Sequence, residues 1–313
     1  MEIAQEIDTL EIIIDKNSSG ERLDSFVLNY LSGFRKARVQ QLITQGKINV
    51  NGKLSSFKQI LQERDIVQIR VEPPYELDII PENIPIEIVY EDEDFLIINK
   101  PSGLVVHPTC CNWQGTLLNA LYYYSENHAL KKFTPYIIHR LDKNTSGLLI
   151  VSKNKKTQRF FHSQLLRREI NRKYIALVHG VMDNDEGCIN LPLMKIKKDK
   201  YYFMEVNKNG KESISYWKVL ERFEEFTLVE LKLGTGRSHQ LRVHLSYIGH
   251  PIVGEDRYTE KQEPHLNRYF LHAYKIKFTH PTTKNEIEFE IDLPEQLDNI
   301  INLLREFGTI PGF

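Results

Sequence analysis

Three polar insertions interrupt apolar, strand-like runs in this sequence, and each carries residues able to do chemistry. The first is "PYIIHRLDKNTSGLLIVSKN", residues 135–154. In an extended chain Arg140 and Asp142 point to the same side, while Leu141 points to the opposite, core side. Lys143 to Gly147 then make a turn before the apolar "LLIV". A carboxylate beside a cation at the end of an apolar strand is a candidate for chemistry. By itself the pattern is more often a surface loop with a weak ion pair.

The second insertion is "ELKLGTGRSHQLRVHLSYIGHP", residues 230–251. It reads as a strand, a turn at Gly234 and Gly236, Ser238 as N-cap, and a helix ended by Gly249. His239, Arg242 and His244 load that helix with more polarity than an ordinary core helix carries. The turn is no phosphate loop, because the Gly-Lys-Ser/Thr ending is missing, and it lacks the third glycine of a dinucleotide fingerprint. His239 and His244 lie about 140° apart around a helix at roughly 100° per residue, so they do not share a zinc ion. The third insertion, "REINRKYIALVHG", is a basic strand presenting Tyr174. An aromatic in a strand usually packs, but one flanked by Arg172 and Lys173 also offers a stacking face for a nucleobase beside its phosphate.

Elements that would position these groups follow from the periodicity. Prolines and acids in "VEPPYELDIIPENIP" (71–85) break the chain into two parts. Ahead of that break, Leu23, Phe26, Val27 and Tyr30 define one amphipathic helix. Val39, Leu42 and Ile43 define a second, with Gly46 just past its end. "KINVNGKL" reads as a strand, an Asn51-Gly52 turn and a returning strand. Past the break, "IEIVYEDEDFLIINKP" is a pair of strands around an acidic turn. Further strands are expected at 137–138, 148–152, 174–179, 226–233, 270–278 and 286–291, with helices at 155–166, 240–248 and 295–307. Strands outnumber helices without alternating with them, which indicates an α+β fold with a mixed, mainly antiparallel sheet. The expected division is an N-terminal extension (1–19), a two-helix plus hairpin domain (20–73), a linker (74–85) and a catalytic domain (86–313).

Composition bounds the answer. Charged residues are 27% and hydrophobic residues 41% of the 313-residue chain, as in a soluble globular protein, and no apolar stretch has the length of a membrane span. The acidic start is unlike a signal peptide, and Cys110, Cys111 and Cys188 show no metal-ligand spacing, so a cytoplasmic, metal-free protein is expected. The net charge of −1 conceals an uneven distribution. Six basic residues and no acid lie between Arg35 and Lys58, and twelve basic residues against two acids lie between Lys131 and Lys173. Two basic runs suit a phosphate-backbone partner held at two places.

With these segments in view, the chain resembles the RluA-type RNA pseudouridine synthases, and within them the RluD-like branch. The resemblance rests on "HRLDKNTSGLLIVSKN", "RKYIALVHG" and "GTGRSHQLRVHLSYIGHPIVGE", with "INKPSGLVVHP", "GTLLNAL" and "FLHA" in the expected order. The N-terminal helix pair resembles the αL RNA-binding motif. The segment "TCCNWQ" (109–114) departs from the branch's usual glycine-containing loop. What the resemblance implies is isomerisation of specific uridines, most of all in large-subunit ribosomal RNA, by a monomer without cofactor or metal. It implies Asp142 as the catalytic carboxylate, Arg242 as its countercharge and Tyr174 as the face stacked on uracil. Arg140 is the candidate to fill the space left by the flipped base. His139, Arg237, His239 and Lys173, with Arg35, Lys36 and Arg38 in the first domain, are expected RNA contacts. Rival readings are a transfer-RNA pseudouridine synthase, a catalytically silent RNA-binding or ribosome-assembly protein, and a metal-free hydrolase built on Asp142 and His139.

Overall fold

The structure, a computed structural model, describes residues 8–16, 18–30, 36–71, 79–108, 113–129, 131–198, 201–260, 266 and 268–308. They divide into two units, 1–85 with 105–135, and 86–104 with 136–313. Residues 105–135, which the sequence reading joins to the catalytic domain, thus group with the first unit. Arg35, Cys110 and Cys111 lie outside the described residues.

In the first unit, β1 (Asp8–Ile13), α1 (Leu23–Tyr30), α2 (Lys36–Thr44), β2 (Ile48–Val50) and β3 (Ile66–Val71) follow one another. Leu23, Phe26, Val27, Val39, Leu42 and Ile43 are all buried, as the helical spacing predicts, and they pack with Ile48, Val50, Val67, Ile69 and Trp113. Gly46 ends α2 at a φ of +71°. The Lys47 amide reaches back to the Leu42 carbonyl and the Gly46 amide to that of Ile43, a Schellman close that only a residue tolerant of left-handed φ permits cheaply.

The expected hairpin is corrected here. Asn51 and Gly52 do form a tight turn with positive φ at both positions, but pairing stops at the single bridge between Val50 and Lys53. The long partner of β2 is β3, in the register Ile48↔Ile69 and Val50↔Val67, and β1 pairs the other edge of β3. Part of the segment read as an extension is therefore a strand.

The second unit contains β4 (Glu87–Glu91) and β5 (Phe95–Lys100). After α3 of the first unit (Leu117–Asn127) come β6 (Tyr136–Ile137), β7 (Ser146–Ser152), α4 (Lys155–Leu166), β8 (Asn171–His179) and β9 (Glu186–Asn190). A hairpin of β10 (Leu193–Lys198) and β11 (Tyr201–Val206) precedes β12 (Ile214–Arg222), β13 (Phe226–Leu233) and α5 (Gln240–Tyr247). The chain continues through β14 (Leu271–Thr279) and β15 (Glu286–Glu290) to α6 (Glu295–Phe307). Ten strands form one sheet in the order β4-β5-β7-β14-β8-β13-β12-β9, with β6 on β7 and β15 on β14. Only the β7–β14 pair is parallel, so the sheet is mixed and mainly antiparallel, as expected.

Every residue of β7 is buried, which explains its unbroken apolar run. Phe95, Ile97, Ile138, Leu148, Ile150, Phe161, Ile170, Ile276 and Phe278 pack into one cluster on that sheet. The acidic turn between β4 and β5 is built by Asp92, whose carboxylate accepts from the Asp94 and Phe95 amides. At the start of β7, Gly147 sits at φ +118°, and a Cβ there would lie 2.3 Å from the Ala273 carbonyl oxygen. A glycine is needed for β7 to approach β14 this closely, and the approach fixes where the loop carrying Asp142 emerges. Among the described residues no helix is long and apolar enough to cross a membrane.

Candidate active site

The β6–β7 loop, β8, α5 and the chain around Glu255 bring the polar groups of the second unit together. Leu141 is buried, as alternation predicts, and this turns its neighbours Arg140 and Asp142 outward. Behind the loop, Lys100 on β5 is fully buried, and its ammonium donates to the carbonyls of Pro101, Leu104 and Lys143 at 2.7, 2.9 and 3.1 Å. Those three acceptors use all three of its N–H groups and hold the backbone next to Asp142. Burial pushes the Lys100 pKa down to about 7, with Asp142 acting in the opposite direction and Arg268 in the same one.

Helix α5 starts differently from the expectation. Ser238 is not the cap: His239 occupies the N-cap position in a left-handed conformation, φ 52°, and caps nothing with its side chain. Gln240 does the work instead. Its Oε1 accepts from the Arg237 amide and the Thr235 hydroxyl, and its Nε2 donates to the Ile214 carbonyl and the Ser215 hydroxyl. The helix is thereby pinned to β12 with Arg242 facing Asp142. Gly249 closes it as the sequence predicts, with φ +88° and the His250 amide bonded to the Leu245 carbonyl.

Arg242 is the hub. Its Nη1 donates to Asp142 Oδ2 at 3.2 Å, while Nε and Nη2 donate to the two oxygens of Glu255 at 2.7 Å each. Arg242 is 2% exposed and Glu255 also 2%, whereas the Asp142 side chain is 17% exposed and so forms the solvent-facing end of the pair. The Tyr269 ring lies 4.0 Å beneath the guanidinium carbon. Burial opposes the Arg242 charge, but the Glu255 hydrogen bonds and both carboxylates outweigh it and raise its pKa.

Tyr174 on β8 is 4% exposed, and burial first, then the Asp142 charge, push its hydroxyl pKa up against the pull of Arg172. The phenol therefore keeps its proton at neutral pH. His239 points its Nε2 toward Asp142 Oδ1 at 4.0 Å, and its Nδ1 shares a 2.6 Å hydrogen bond with the Tyr258 hydroxyl. Burial lowers its pKa, as do Arg242, Arg257 and Arg140, with only Asp142 opposing. The imidazole is neutral at pH 7.

The remaining expected contacts separate. Arg140 is exposed and makes no hydrogen bond or ion pair among the described residues. Arg237 is exposed and donates through Nε to the Glu212 carbonyl. His139 is buried, accepts from the Ile150 amide at 3.3 Å, and is held neutral by burial and then by Arg172. Lys173 is engaged by Glu230 at 3.0 Å and is not a free cation. His244, buried, donates through Nε2 to the Leu191 carbonyl and accepts at Nδ1 from the Ser215 hydroxyl, at 2.9 Å each, which makes it a satisfied core histidine. The second basic run is partly neutralised in the same way, with Lys153 on Glu91, Arg167 on Glu169 and Arg168 on Glu212. In the first unit Lys36 is exposed on α2, and Arg38 donates to Gln41.

The sequence reading missed Glu255, Lys100, Tyr258 and Tyr269. Glu255 carried a signal, an acid directly after the apolar "PIVG", and Lys100 carried another, a lysine ending the apolar run of β5.

The family model for RNA pseudouridylate synthase matches residues 94–247. The chain is 38% identical over 307 residues to the RNA pseudouridine synthase YlyB of Bacillus subtilis, covering 96% of this chain and 100% of that one. It is 35% identical over 315 residues to ribosomal large subunit pseudouridine synthase C of Vibrio vulnificus, covering 93% and 95%. Among solved structures, human RNA pseudouridylate synthase domain containing 1 superposes with a TM-score of 0.56 at 26% identity, covering 75% of this chain and 98% of that one.

Proposed function

The chain belongs to the RNA pseudouridine synthase family, and on that premise we propose that it isomerises uridines of large-subunit ribosomal RNA in the cytoplasm, with Asp142 as the catalytic carboxylate. The observation that carries the assignment is the carboxylate of Asp142 held 3.2 Å from a guanidinium that Glu255 has already locked from behind. Isomerisation breaks the C1′–N1 bond, forms a C1′–C5 bond, removes a proton from C5 and returns one to N1. No electrons, water or group are gained or lost overall, so the reaction asks for charge placement rather than a redox partner. Asp142 supplies the negative charge at the sugar–base junction, as nucleophile or base. Arg242 pairs with it from the buried side without consuming its outer face.

Tyr174 supplies the stacking surface for the uracil. Arg140, exposed and unengaged, is placed to fill the gap in the RNA stack, which helps offset the few kcal/mol that flipping a base out requires. The first unit, with Lys36 and Arg38 and with Arg35 beyond the described residues, serves as a second, sequence-tolerant hold on the phosphate backbone. Ribosomal RNA is favoured because the Vibrio relative is named for the large ribosomal subunit.

The test is to incubate the purified chain with ribosomal and transfer RNA transcripts and to map pseudouridine in each. Conversion in large-subunit RNA without base release or strand cleavage is the expected result. Conversion confined to transfer RNA would reassign the substrate, and binding without conversion would leave an RNA-binding protein.

A further inference from the structure

The second unit contains a cavity of about 220 Å³ on the Arg172 side of Tyr174, lined in part by Arg237. It is lined by Leu165 and Leu166 at the end of α4, by Arg168 and Ile170 in the link that follows, by Arg172 of β8 and by the turn from Gly234 to Arg237. Arg172 and Tyr174 are two apart on one strand, so they face the same side of the sheet.

Arg172 is the unusual member. It makes no hydrogen bond or ion pair among the described residues, and its Nε is buried without a partner. A half-buried guanidinium with an unsatisfied donor is costly unless something arrives to accept from it. Gly236 lies directly against it: a Cβ on that residue would sit 3.1 and 3.3 Å from the two terminal nitrogens of Arg172. A glycine there leaves the guanidinium room to face the cavity. Two further arginines line the same space. Arg168 pairs with the exposed Glu212 carboxylate and Arg237 donates only to the Glu212 backbone carbonyl, so of the three arginines Arg168 alone has a carboxylate partner among the described residues. The positive charge is therefore in excess.

The geometry points to a subsite for one backbone phosphate of the RNA strand, bound by Arg172 from below with Arg168 and Arg237 at the rim. This rests on the reading above that the substrate is RNA, and it adds where the strand leaves the Tyr174 face. Arginine matches a phosphate with two parallel N–H donors, which neither a lone lysine nor a backbone amide supplies.

The experiment uses a short RNA with one unpaired target uridine, and a set of the same RNA in which a single neutral methylphosphonate replaces each linkage near that uridine in turn. For the wild-type chain, one position should weaken binding by roughly tenfold or more, while the others change it little. Arg172→Gln should weaken binding of the parent RNA to a similar extent, lower the slope of log K against log salt by about 0.7, and be insensitive to the methylphosphonate that hurts the wild type. Arg172→Lys should recover part of the affinity. Gly236→Ala, which crowds the guanidinium without removing charge, should give an intermediate loss. Equal sensitivity of wild type and Arg172→Gln at every linkage, or weaker binding with an unchanged salt slope, overturns the subsite and leaves Arg172 a packing residue. If Arg172→Gln does not fold, a wild-type scan without any sensitive linkage overturns it equally. Isomerisation is scored separately: a wild type that binds without converting sinks the earlier reading, while the methylphosphonate comparison still decides on the pocket.

Discussion

Arg242 binds Glu255 through two hydrogen bonds of 2.7 Å and Asp142 through one of 3.2 Å. The buried carboxylate therefore sets the orientation of the guanidinium, which leaves Nη1 for Asp142 while Nη2 also reaches Asp256 at 3.4 Å. Glu255→Gln keeps the volume but removes the charge from a fully buried pair, a change that costs about 3–5 kcal/mol when one partner is lost. A lower melting temperature and a loss of turnover are expected together. Arg242 would keep Asp142 and Asp256 as its carboxylate partners but lose the buried one that fixes its orientation. A variant with wild-type turnover would show that Glu255 positions nothing.

Asp142→Asn should abolish turnover while stability changes by less than about 1 kcal/mol, because Arg242 keeps its two bonds to Glu255. RNA affinity should persist. Pseudouridine mapping after long incubation and a binding titration test the two halves of the expectation. Measurable multiple turnover would remove Asp142 from the chemistry.

Arg140 is exposed and unengaged, so its replacement should leave the fold alone. Arg140→Ala should be slow on structured RNA and partly recover when the target uridine is already unpaired. Tyr174→Phe keeps the buried ring and should retain binding, whereas Tyr174→Ala opens a cavity in the β8 core and should lose about 3–5 kcal/mol of stability as well as activity. Equal losses for Arg140→Ala on both RNAs would contradict a gap-filling role.

His272 makes stability fall in acid. It is fully buried, hydrogen-bonded to the Ser146 hydroxyl at 2.8 Å, and burial followed by the Arg268 charge lowers its pKa to about 4 from 6.5. The unfolded chain binds its proton at higher pH than the folded chain does. Its contribution, of order 3 kcal/mol, is whole above about pH 6.5 and is lost as the pH falls toward 4. Thermal denaturation from pH 7.5 to 4.5 should show a steeper decline for the wild type than for His272→Gln, and parallel curves would refute the assignment.

Lys36→Glu together with Arg38→Glu reverses two charges on α2 without touching its buried face of Val39, Leu42 and Ile43. Affinity for long RNA should drop and its salt slope should become shallower, with conversion of a short target RNA unchanged. Substitution is a cleaner test than deleting residues 1–73, because Trp113 packs in the same core as the two helices and would be stripped by the deletion. Unchanged affinity and slope would leave these residues a solvated surface.

What the sequence determined by itself was local or carried by resemblance. The 3.6-residue spacing in α1 and α2, the closing glycines Gly46 and Gly249, and the acidic turn ahead of Phe95 are each set by interactions within a few residues, and all are present in the structure. The family, and Asp142, Tyr174 and Arg242 as the residues proposed for the site, came from quoted segments. Tertiary structure decided what depends on partners far along the chain. Asp142 and Arg242 meet across 100 positions, and Glu255, absent from the sequence reading, proves to hold the pair. Lys173 reads as a free cation until Glu230 is brought beside it from β13, and β2 reads as half of a local hairpin until β3 takes the pairing. Ser238 loses the cap because Gln240 reaches β12 as well as the Arg237 amide, a choice made by tertiary contact and invisible to local propensity. Local preferences cost or gain about 1 kcal/mol, whereas burying or pairing a charge is worth several, so the long-range terms place the site.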